Sequence, residues 1–224
     1  MADVEPVFRI PNYLSEVGYG SPFTLIGSLF FEFILLIALY IPIQMLGGFQ
    51  ELLLAGGGMY YMTLHILSYI PIPLYFISAS IAFLIMIAVM VFSKNEKFYN
   101  LFTAIGSAYI VTYMIVILLN MPRIFVFLPL MIVAFLGFVV FKKTKRAMHY
   151  AVCKAILTGF MLDLMIDHLL PVAYMTKSHF SGTALMYGNN LLTIVTFVLA
   201  GVMSFIWTCY RDAFMNKVKS FRKK

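Results

Sequence analysis

Long apolar stretches separated by short polar breaks run through almost the whole chain. Six of them, at 23–43, 74–92, 101–119, 124–141, 151–170 and 191–210, approach the roughly 20 residues that a helix needs to cross a hydrocarbon core of about 30 Å. A seventh stretch, 52–70, is broken by Gly56, Gly57, Gly58, Tyr60, Tyr61, His65 and Ser68 and stops at Pro71-Ile72-Pro73. Its marginal hydropathy predicts a re-entrant or interfacial helix, with a seventh span as the alternative. Glycine frees the backbone, and non-helical backbone at membrane depth survives only inside protein or beside water. The segment, with Glu51, Tyr60, Tyr61 and His65, is therefore expected to form an outer vestibule or gate, or more plainly an interfacial helix with aromatic anchors.

The pattern predicts an all-α polytopic transmembrane helical bundle. It divides into an N-terminal cytoplasmic or interfacial segment (1–22), an integral membrane domain (23–210) and a basic cytoplasmic tail (211–224). Asn120-Met121-Pro122-Arg123 leaves room only for a tight hairpin, and Pro129 predicts a kink in the helix that follows.

Composition supports this class. Of 224 residues, 62% are hydrophobic and 11% charged, against about 45–50% and about 25% in soluble domains. Six or seven spans use most of the chain, so no separate soluble catalytic domain fits. The first 22 residues lack the basic region and small-residue cleavage site of a signal peptide, so the first span is expected to remain as an anchor.

Charge orients the bundle. Lys and Arg in short loops favour the cytoplasmic side. With six spans and both termini cytoplasmic, Arg9, Lys94, Lys97, Lys142, Lys143, Lys145, Arg146, Lys154, Arg211, Lys217, Lys219, Arg222, Lys223 and Lys224 gather there, leaving Arg123 and Lys177 outside. A seventh span would move only Arg9. The net charge of +7 is thus a topology signal and an attraction to anionic lipid, with no nucleic-acid partner implied. Cys153 and Cys209 fall at cytoplasmic helix ends, where thiols stay reduced.

Three of the nine acidic residues lie inside apolar stretches: Glu32, Asp163 and Asp167. Ionisable groups at this depth usually face a bundle interior, a watery cavity or a partner charge. Asp163 and Asp167 share a helix face one turn apart, with Gly159 on the same stripe. If the first and fifth spans are neighbours, the three acids form an intramembrane pathway for protons or a cation, or else they pair with other subunits. Buried alone, Glu32 would simply be neutral. Lys154, roughly opposite Asp163 around its helix, is expected to snorkel to the interface.

Asn189, Thr193, Thr196 and Ser204 form a polar face on the last span, suited to lining water or to helix packing. His65, His168 and His179 fall on the outer side and are candidate metal ligands, although their spacing matches no metal motif. His149 and His168 stand about 28 Å apart on one helix and cannot clamp one haem. No cofactor is strongly implied.

Three functions remain open. The leading expectation is a non-catalytic subunit of a larger membrane assembly of secretion, transfer or energy-coupling type, partnered by lipid and by other membrane subunits or copies of itself. The others are a small proton- or cation-coupled transporter or channel, and a metal-assisted membrane enzyme built around Asp163, Asp167 and His168.

Overall fold

The computed structural model describes residues 22–40, 48–67, 69, 75–119, 121, 123–174 and 194–211, with side-chain surroundings given for these except at 22–28, 75–76, 123–124 and 167–174. The described residues form seven α-helices and no strand. They are α1 (Pro22–Tyr40), α2 (Phe49–Leu67), α3 (Tyr75–Phe92), α4 (Glu96–Leu118), α5 (Phe127–Lys143), α6 (Arg146–Tyr174) and α7 (Ile194–Arg211).

Polar chemistry sets the helix ends. Asn95 caps α4 by accepting from the Lys97 amide at 3.0 Å. A 3-10 turn, Arg123–Val126, leads into α5. Pro129 is then the third residue of α5, where a helix needs no amide donor, so the proline starts the helix where a kink was expected.

Side-chain pairs fix the directions. Gly57 abuts Leu157 and Tyr61 abuts Phe160, so α2 and α6 run the same way. Gly58 meets Gly106, and His65 meets Tyr109 and Tyr113, which makes α4 parallel to both. The other four oppose them. Gly56 faces Met86 and Met90 of α3, Phe141 of α5 stacks on His149, Tyr40 of α1 reaches Thr158, and Gly201 of α7 faces Ala155. Three parallel inner helices, α2, α4 and α6, are thus bordered by four antiparallel outer ones.

The glycine triplet makes this possible. Successive residues on a helix turn about 100°, so three glycines point to three neighbours. A Cβ at Gly56 would lie 2.8 Å from Met90 Cγ, one at Gly57 2.9 Å from Leu157 Cδ2, and one at Gly58 2.7 Å from the Gly106 Cα. The last is backbone against backbone. Segment 52–70, expected to be re-entrant or interfacial, holds one continuous helix, Phe49–Leu67, which is buried from Leu53 to Gly58 and is not among the helices long and apolar enough to cross a membrane.

The exterior is apolar. Leu128, Met131, Ile132 and Phe135 on α5, and Phe83, Leu84, Ile87 and Val91 on α3, are exposed, the reverse of a soluble surface. Glu96–Leu118, Arg146–Ile166 and Ile194–Arg211 are long and apolar enough to cross a membrane, which supports a membrane protein; Leu29–Tyr40 and Ile77–Phe92 are shorter apolar helices. The expected six spans are matched in position by six helices, three of which meet that length and hydropathy.

Candidate functional site

One end of the bundle carries Lys94, Lys97, Lys142, Lys143, Lys145 and Arg146, all exposed, together with Arg211. This basic end holds the starts of all three inner helices. Arg146 bonds Glu51, which anchors the first turn of α6 to that of α2. Glu51 therefore lies at the opposite end of α2 from His65, and the two do not share a vestibule.

Just inside, His149 is almost fully buried. Its ring stacks on Phe141 at 4.0 Å, and Tyr99 lies 5.2 Å away. Thr103 Oγ1 stands 2.9 Å from its Nε2 and 2.7 Å from the Tyr99 carbonyl. With its single proton donated to that carbonyl, Thr103 accepts from the Nε2–H. His149 thus acts as a packed, hydrogen-bonded tie between α4, α5 and α6.

Two and a half turns further along α6, Tyr40, Thr158 and Ser204 join three helices. Tyr40 donates to Ser204, Ser204 donates to Thr158 at 3.4 Å, and the 3.1 Å contact between Thr158 and Tyr40 closes the ring with Thr158 as donor. Every hydroxyl proton is used within this circle. Beside it the Lys154 ammonium sits 4.1 Å from the Tyr40 ring centroid and 5.6 Å from that of Tyr150, within cation–π range of both. Lys154 is 3% exposed, buried at the junction where snorkelling to the surface was expected.

Glu32 and Asp163 lie deeper and are each 3% exposed; neither is free of partners. Glu32 shares its buried stripe with Leu35 and Leu39, whereas Phe30, Phe33 and Ile34 face outward. The first and fifth predicted spans, α1 and α6, do pack together. Glu32 precedes Tyr40 by eight residues and Asp163 follows Thr158 by five, so both stand roughly 8–12 Å farther from the basic end than the hydroxyl ring. Their bearings differ, because five residues rotate Asp163 about 140° from the side of α6 that meets Tyr40. Gly159, on the same stripe as Asp163, faces Phe197 of α7, its Cβ position 2.5 Å from that carbonyl oxygen.

At the far end His65 is buried in an aromatic box. Its Nε2 is 3.1 Å from the Tyr69 hydroxyl, Phe127 stacks on it at 5.4 Å, and Tyr109 and Tyr113 close the sides. Among the described residues no group of three or more His, Cys, Asp or Glu side chains is placed to hold a metal ion. The side chains of Asp167 and His168, and residues His179, Asn189 and Thr193, lie outside the described residues. Of the remaining polar face, Thr196 is half-buried and Ser204 belongs to the hydroxyl ring. Cys153 and Cys209 are free thiols.

Sequence reasoning missed the ring and the role of His149. Tyr40, Thr158 and Ser204 belong to three distant stretches, and no local spacing links them. Comparison of the chain with protein-family models, curated proteins and solved structures finds no match.

Proposed function

We propose that this chain is a seven-crossing membrane protein acting as a non-catalytic structural subunit of a larger membrane assembly. The carrying observation is the solid centre: α2, bordered by α1, α3, α4 and α6, meets α4 backbone to backbone at Gly58 and Gly106, and large side chains such as Tyr109, Phe160 and Leu53 fill the space around it. A water path along α2 would have to break that contact. The functional surfaces of such a protein are its rim and its outer helices.

Seven alternating helices bring the expected orientation into a new form. The basic end faces the cytoplasm, the C-terminal tail follows on that side, and the N-terminal segment lies across the membrane. Extraction from native membranes in mild detergent, gel filtration and mass spectrometry test the reading. Stoichiometric membrane partners are expected.

Glu32 and Asp163 favour one other reading, a proton- or cation-coupled carrier, because buried carboxyls at matched depth suit proton exchange. A solitary protein whose reconstituted vesicles show pH-dependent flux, lost in Glu32→Gln or Asp163→Asn, would establish that reading and overturn the subunit.

A further inference from the structure

Lys154 is the group that the packing leaves unanswered. Its ammonium has three N–H donors, yet among the described residues it forms no ion pair, and its nearest partners are the two tyrosine rings. The hydroxyl ring beside it is closed on itself. Arg211, the last described residue of α7, follows Ser204 by seven residues, which puts it on the same face of the helix two turns nearer the basic end. Two cations thus border one three-helix junction, near the level where α1 ends at Tyr40.

The surroundings say what kind of anion fits. Outward from the junction α1 presents Phe33 and Ile37, and α7 presents Met203, Ile206 and Trp207, all exposed. A charged junction bordered by apolar helix faces matches an amphiphile, with its acid group at the cations and its chains along the helices. Basic pockets between helices on the cytoplasmic side hold anionic lipid head groups in this way. We infer that Lys154 and Arg211, framed by Tyr40 and Tyr150, bind the phosphate of an anionic phospholipid in the leaflet at the basic end. This rests on the membrane reading above, though not on the subunit role.

The chain carries its own reporter. Its single tryptophan, Trp207, is exposed and three residues from Ser204. Full-length protein is reconstituted with brominated phosphatidylglycerol or brominated phosphatidylcholine, and quenching of Trp207 is titrated against lipid mole fraction. The anionic lipid should be preferred by about fivefold or more, the weight of one or two cations near a surface. Lys154→Met should bring the preference close to one and Arg211→Gln should lower it, while Lys142→Gln with Lys143→Gln leaves it unchanged.

Wild-type preference in both the Lys154 and Arg211 variants would overturn the site. Loss of the preference in millimolar inorganic phosphate would assign the cations to a free phosphate, and a stoichiometric acidic protein that co-purifies with wild type but not with Lys154→Met would assign them to a partner's carboxylate; either result overturns the lipid. Absence of quenching by both lipids would instead overturn the membrane reading itself.

Discussion

A methyl group added at position 58 would stand 2.7 Å from the Gly106 Cα, and neither backbone can rotate aside. Gly58→Ala is expected to destabilise the bundle by about 1–3 kcal/mol, the usual cost of overpacking. Gly137→Ala should change little, because its Cβ would make an ordinary 3.8 Å contact with Ala104. Thermal unfolding of both variants in detergent checks the pair, and equal effects would refute the packing argument. The triplet was plain in the sequence, but its meaning was not. Glycine signals backbone freedom and close approach by the same missing side chain, and only the neighbours Met90, Leu157 and Gly106 decide between them. Lys154 carried a similar ambiguity, since a long cation near a helix end reads as surface-seeking until Tyr40 and Tyr150 are seen to flank it.

At the scale of helices, six apolar stretches foretold six elements because helices such as α3 and α5, with apolar side chains on their exposed as well as their buried faces, are apolar along most of their length. α2 escaped that logic. It is buried by protein, so it can carry Thr63, whose hydroxyl returns to the Met59 carbonyl at 2.8 Å, and His65 in its aromatic box, both of which lower its hydropathy. Whether it crosses is open to direct test. In a background of Cys153→Ser and Cys209→Ser, a cysteine at Phe49 should react with an impermeant maleimide from the same side as one at Lys94. A cysteine at Tyr69 should react from the side of Met121. Labelling of both Phe49→Cys and Tyr69→Cys from one side would restore the re-entrant loop.

For the molecule as a whole, the proposed seven-crossing reading of three parallel helices bordered by four antiparallel ones makes the number of passages odd. Tags at the two termini should therefore be protected from protease on opposite faces of sealed vesicles; protection on the same face would return the count to six. Charge alone left this undecided, because the extra passage relocates only Arg9 among the basic residues. The depth of Glu32 and Asp163 was legible from their place in apolar stretches. Their separate bearings were not, since the bearing of Asp163 follows from which face of α6 receives Tyr40.

The central place of α2 has a cost during synthesis. Its glycine surface is complete only when α4 and α6 close over it, and Leu157 is 100 residues downstream of Gly57. At about 5–20 residues per second, α2 waits roughly 5–20 s for that partner. On the seven-crossing reading, a poorly hydrophobic helix stands through this interval beside lipid or beside the insertion machinery, and nascent chains cut short before α6 should be the ones that membrane quality control removes.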